Sequence, residues 1–177
     1  MKSLEQYSIP FTGLKLGIHQ FEFLVEDAFF EEYEYSLVKS GTLKVELELE
    51  KQETMMILNF NITGEIKLAC DVCLADYPYL VEIQERQIVK LSGDEDVEDD
   101  TEEIIFLKRK ETEINIATLI YEYINLAAPY ISRCEDEGNM DWCDLEMIAK
   151  LKQLAPGAKE EIEDEDPRWE ALKNIKK

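Results

Sequence analysis

The chain is poor in the residues from which most enzyme motifs are built. It contains a single histidine, His19. A cysteine nucleophile would need a histidine base, and a lone histidine on an early strand is more often a surface or core filler. Seven glycines are spread over 177 residues. The sequence has no Walker-type loop and no Gly-x-Gly-x-x-Gly fingerprint, so a glycine-rich phosphate cradle is not expected. His-Glu-x-x-His and Gly-x-Ser-x-Gly are missing as well. Carboxylates are abundant, but nothing selects a catalytic pair from the 40 acidic residues. No stretch approaches the ~18 apolar residues needed to cross a bilayer. The segment Met1–Tyr7 lacks an apolar h-region, so export is not expected. The thiols should then meet a reducing, cytoplasmic environment, where metal binding is favoured over a disulfide framework.

Positive charge is scarce too. Nineteen basic residues face 40 acidic ones, for a formal net charge of −21. Broad, nonspecific binding to nucleic acid needs basic side chains to displace counterions, so this balance argues against it. The excess is concentrated in two runs. Residues 93–103 carry eight carboxylates and 160–166 carry six, neither with a Lys or Arg, which accounts for 14 of the 21. Such runs are usually solvated, mobile loops that keep a protein soluble. The functional reading is that they meet a basic partner.

The chain does contain four cysteines, arranged as Cys70-Asp71-Val72-Cys73 and Cys134…Cys143. A Cys-x-x-Cys pair with a second, looser pair is the spacing of a structural four-thiolate zinc site, which leaves no open position for a substrate. Sixty residues separate the inner two ligands. The entropy of closing that loop grows only logarithmically, and zinc binding by thiolates is worth on the order of 10–16 kcal/mol, enough to offset it. Four unrelated buried thiols are the bland alternative. A thioredoxin-like dithiol would need a helix N-terminus after the strand, and Asp71 disfavours a thiolate there.

Around the cysteines the chain reads as sheet, then helix. Leu43, Val45, Leu47 and Leu49 alternate with polar residues, and so do Met56, Leu58, Phe60 and Ile62 after the break 51–54. This is a hairpin with one wet face. The parity runs through Gly64, where a bulge or sharp bend is expected, to Ile66, Leu68 and Cys70. Strands are expected around Phe21–Val25, from Tyr79 to near Leu91, and at Ile104–Leu107. A short helix is expected over Asp27–Tyr35, anchored by Phe29, Phe30 and Tyr33. Helical spacing covers Ile116–Ala127 before Pro129, and Leu145–Leu154 after an Asp144 N-cap. Asp166-Pro167 starts a last short helix with Trp169 and Leu172 on its apolar edge. The expected fold is α+β: a curled antiparallel sheet in the N-terminal half, helices in the C-terminal half, and a four-cysteine zinc site joining them. One domain spans 1–158 with the acidic loop 93–103, and 159–177 forms an acidic linker and the short helix.

The order of these features resembles the YceD-like family of large ribosomal RNA subunit accumulation proteins. The resemblance runs most clearly from about Gly64 to the C-terminus. It rests on Cys70-Asp71-Val72-Cys73-Leu74, the acidic insertion and following strand, the helix ending at Ala128-Pro129, the second cysteine cluster, and Asp166-Pro167-Arg168-Trp169-Glu170-Ala171-Leu172-Lys173. The family pattern places Arg where Val72 stands, often His where Cys134 stands, and Phe where Arg168-Trp169 stands. The first change removes any contact carried by that Arg. The second preserves zinc chemistry.

The resemblance implies a noncatalytic ribosome-biogenesis factor. Cys70, Cys73, Cys134 and Cys143 would hold structural zinc. The partner would be a large-subunit precursor, reached through ribosomal RNA or a basic ribosomal protein, with no membrane and no small-molecule substrate. Direct RNA contact could use Lys108-Arg109-Lys110, Lys150 with Lys152, or Lys173 with Lys176 and Lys177. The net charge fits a grip on a basic protein better. The alternative is a zinc-stabilised acidic interaction module or chaperone with no ribosomal role. A hydrolase or nuclease using clustered carboxylates would show itself by activity dependent on added magnesium or manganese.

Overall fold

In the computed structural model, which describes residues 2–92, 104–108, 110–135 and 138–154, the alternating segments are strands. In chain order the elements are β1 (Ser8–Ile9), β2 (Gly17–Val25), α1 (Asp27–Glu31), β3 (Ser40–Lys51), β4 (Met55–Ala69), β5 (Asp76–Ser92), β6 (Ile104–Lys108), β7 (Ile114–Asn115), α2 (Ala117–Ala127) and α3 (Leu145–Leu154). Two compact units result, Met1–Cys143 and Asp144–Lys177. The fold is α+β, as the patterns predict.

The main sheet of the first unit has the order β2-β3-β4-β5-β6. Its first three pairings are antiparallel, and β6 joins β5 in parallel. The inward side chains are those of the predicted parity. Val45, Leu49, Met56, Leu58, Ile62 and Ile66 are fully enclosed. Burying each such side chain contributes up to about 1.5–3 kcal/mol. α2 covers part of this face, with Ile120 and Ile124 inaccessible and Tyr123 edge-on to Phe60 at 5.4 Å. Gln87 is a buried polar residue on the same face, and its Oε1 accepts a hydrogen bond from the Tyr123 hydroxyl (3.3 Å). Phe29 and Phe30 of α1 are buried as expected. The helix ends at Glu31, and the backbone continues in tighter turns, with Tyr33 N–H donating to Phe30 O and Ser36 N–H to Tyr33 O.

Two expectations about the sheet are corrected. It is not curled, and its edge strands β2 and β6 are not paired with each other. Curling is introduced by bulges and kinks that break the register. Here the register runs unbroken along all three antiparallel pairs. Gly64 is likewise no bulge and pairs directly with Leu43. Its φ is +153°, and a Cβ there would meet the Thr42 carbonyl oxygen and lie 2.7 Å from Leu43 Cα. The glycine is needed for close backbone approach between β3 and β4, which periodicity alone does not distinguish from a bulge.

The other sheet face carries the polar parity. Asn61 Nδ2 donates to Glu46 Oε2 (3.0 Å), and Lys44 Nζ lies 2.7 Å from Glu46 and 3.4 Å from Glu22. These pairs are solvated, so each adds little. His19 lies on β2, and its Nε2 is 2.8 Å from the Lys15 carbonyl oxygen. β1 and β7 form a separate two-stranded ribbon that periodicity did not reveal.

In the second unit, α3 begins as expected, with Met147 N–H donating to Asp144 Oδ1 (3.0 Å). The acidic loop 93–103, Arg109, the boundary at 158 and the whole of 159–177 lie outside the described residues. Among the described residues, no helix is long and apolar enough to cross a membrane.

Candidate metal centre

Strand parity carries the first cysteine inward. Leu68 is buried, Ala69 faces out, and Cys70 is 1% exposed. A tight knuckle follows. Cys70 N–H donates to Ala75 O, Leu74 N–H donates to Cys70 O (both 2.9 Å), and Val72 N–H points at Cys70 Sγ (3.4 Å). The turn forces Leu74 to φ +63°. A left-handed conformation costs a residue with a Cβ about 1–2 kcal/mol, so the knuckle holds strain.

The second pair arrives after α2 stops at Ala128-Pro129. Asp71 clamps the two segments together. Its N–H donates to Ser132 O (2.8 Å), and its carboxylate Oδ2 accepts from Ser132 N–H (2.7 Å). The sequence offers no signal for this partner 61 residues away. Gly138, at φ +69°, turns the chain. Asn139 N–H then donates to Cys134 O (2.8 Å), and its side-chain Nδ2 donates to Pro78 O (3.0 Å). A short turn over Met140–Trp142 leads to Cys143.

These contacts bring Cys70, Cys73 and Cys134 together, all buried, with the three sulfurs within 4.8 Å of one another. Cys143 is partly exposed and outside that trio, although the electrostatics of its thiol are shaped by those of Cys134, Cys73 and Cys70. All four are free cysteines. The Cys73–Cys134 sulfur separation is 3.8 Å. A tetrahedral zinc with Zn–S bonds of about 2.3 Å requires sulfur–sulfur edges of about 3.8 Å. The donor set therefore fits a thiophilic metal, and three buried thiols at this spacing could bind one.

The thiols are unequal. Burial works against ionising Cys70, but backbone hydrogen bonds from Cys73, Cys134 and Val72 outweigh it and lower its pKa to about 6. Burial pushes Cys134 up to about 12, with the neighbouring thiols adding to the rise. Cys143 is also raised, first by desolvation. This is the pattern of one thiolate held by N–H groups beside thiols that cannot all ionise without a cation.

Comparison with known proteins finds a family match that spans both cysteine pairs. The family described as large ribosomal RNA subunit accumulation protein YceD matches residues 58–176, from within β4 through both cysteine pairs. A protein of Bacillus subtilis (strain 168), named uncharacterized protein YlbN, is 28% identical over 127 residues. The match covers 67% of this chain and 65% of that protein. No solved structure matches the chain. With more than half of its length matched, cysteine centre included, the chain belongs to the YceD family of large ribosomal RNA subunit accumulation proteins.

Proposed function

We infer that this protein is a noncatalytic, cytoplasmic factor that supports accumulation of large-subunit ribosomal RNA by binding large-subunit precursors. The family match over residues 58–176 carries this reading. Zinc on Cys70, Cys73, Cys134 and Cys143 would be structural, fastening the end of β4 to the segment after α2. An all-sulfur donor set, with Cys73 and Cys134 sulfurs 3.8 Å apart, favours zinc over harder cations. When bound, the metal supplies positive charge that lets several buried thiolates coexist. The chain's own part is to aim them with N–H groups and the Asp71–Ser132 clamp. Residues 1–158 would act as one assembly, with 159–177 as an appendage. The contact would be a basic ribosomal protein or ribosomal RNA.

The test is native affinity purification from gently lysed cells at two salt concentrations, identifying RNA and protein in each eluate. Large-subunit RNA recovered with a subset of its proteins is the expected result. Recovery of no ribosomal component at low salt would sink this reading in favour of an acidic interaction module.

A further inference from the structure

The cysteine end of the first unit is surrounded by large apolar side chains that are not buried. Val72 and Leu74 project from the first knuckle, Tyr130 and Ile131 from the segment after α2, and Met140 and Trp142 from the turn before Cys143. Leu74 is 70% exposed, Tyr130 fully and Trp142 57%. Three segments carry them, and the hydrogen bonds already described tie those segments together: Asp71 to Ser132 and Asn139 to both Cys134 and Pro78. Such a concentration of exposed apolar residues in one region marks an interaction surface. Leu74 adds an independent sign. It sits in a left-handed conformation that suits Gly or Asn, yet its side chain is held out in water.

Charge selects the occupant. Among the described residues between Cys134 and Cys143, Glu135 and Asp141 are exposed carboxylates and none is basic. Asp71 and Asp76 are exposed beside the first knuckle, and Lys67 and Arg133 are exposed on the segments that carry the cysteines. A second copy would bring together two chains of net charge −21. Nucleic acid and anionic membranes are repelled in the same way. A polypeptide with basic residues around an apolar anchor is attracted on both counts. We propose that the apolar surface around the cysteine centre docks a basic protein segment, with Leu74 and Trp142 receiving its anchor. This deepens the large-subunit reading and rests on it for the partner's source, which becomes a basic large-subunit protein rather than RNA.

The experiment immobilises the full-length protein, purified without chelator. Three probes are offered separately at about 0.15 M salt: proteins stripped from large ribosomal subunits, protein-free large-subunit RNA, and an amphipathic lysine–leucine peptide. The double variant Leu74→Asn/Trp142→Ser changes no charge, and Asn suits the left-handed backbone at 74. Metal content and thermal midpoint should therefore hold, while retention of basic protein and peptide falls about thirtyfold, as for loss of a hot-spot aromatic. Leu74→Asn alone should weaken binding without lowering stability. Leu24→Ser, on the polar sheet face, should leave binding unchanged.

Undiminished binding by the double variant would overturn the docking surface while the ribosomal reading stands. Retention of RNA alone would overturn it in favour of nucleic acid. A wild-type dimer that the double variant dissociates would make this a self-interface and overturn the proposal. Peptide retained through Leu74 and Trp142 with no ribosomal component would support the surface and remove the ribosomal source.

Discussion

The sheet and the cysteine end of the first unit are held together by different physics. Along β3 and β4, inward side chains such as Val45, Leu49, Leu58 and Ile62 have no accessible surface, and the register is continuous over twelve paired positions. At the cysteine end, three thiols are buried while Leu74, Tyr130 and Trp142 lie in water. There, order comes from a few backbone hydrogen bonds and the Asp71 clamp. The contrast teaches that the sheet has enclosed apolar side chains to hold it, whereas the cysteine end has few and would gain most from a bound metal.

Substitutions can break this division or sharpen it. The largest effect is expected from Gly64→Val. Its side chain would collide with the backbone of Thr42 and Leu43, so the β3–β4 pairing and the folded protein should be lost, with no cooperative transition in circular dichroism. Leu58→Ala should lower unfolding free energy by about 2–5 kcal/mol, read from denaturant midpoints, without changing metal stoichiometry. Cys73→Ser should do the reverse. Metal content by elemental analysis should collapse, and amide exchange should quicken over 70–75 and 130–143, while sheet amides stay protected. Equal loss of protection in the sheet would mean that the two regions form one cooperative unit.

The cysteine end should also respond to pH near neutrality. A metal competes with protons for the thiols. With Cys70 lowered to about 6 and Cys134 raised to about 12, metal uptake near pH 7 should release protons, chiefly from the raised thiols. Affinity should already fall as pH drops toward 7, because protons compete for the raised thiols, and fall more steeply below about 6, where Cys70 also takes up its proton. A pH series of competitive chelator titrations reads this directly.

The smallest effect is expected beneath α2. Tyr123→Phe leaves the buried Gln87 Oε1 without the hydroxyl donor and should cost about 1 kcal/mol. Burial raises the Tyr123 pKa to about 12, above its ordinary 10. Its contribution is therefore fully present below about pH 10 and lost as pH rises through 12. The variant should lose less stability than the wild type across that alkaline window in thermal melts.

Much of the sheet is legible in the chain because side-chain alternation is local. The parity from Met56 through Leu68 to Cys70 survives intact in β4, and the Asp144 cap is found where expected. Register and curvature are not legible in the same way. Gly64 looks like a bulge until its partner Leu43 is known. The parallel docking of β6, the β1–β7 ribbon and the burial of Gln87 depend on partners far along the chain. At the cysteine centre, spacing suggested four ligands. The fold brings three sulfurs within 4.8 Å and leaves Cys143 at their edge, by way of an Asp71–Ser132 clamp that no periodicity encodes.

By itself, then, the sequence determined the strand parity, the helix limits set by Asp144 and Pro129, the acidic balance, and a thiol set suited to a soft metal. Each follows from neighbours within a few residues or from composition. Only the tertiary structure decided that the sheet stays open, that Gly64 serves close strand approach, and that Leu74, Tyr130 and Trp142 remain in water around the cysteines. Those outcomes depend on which distant backbone groups meet, and hydrogen bonds formed across sixty residues leave no periodic trace in the chain.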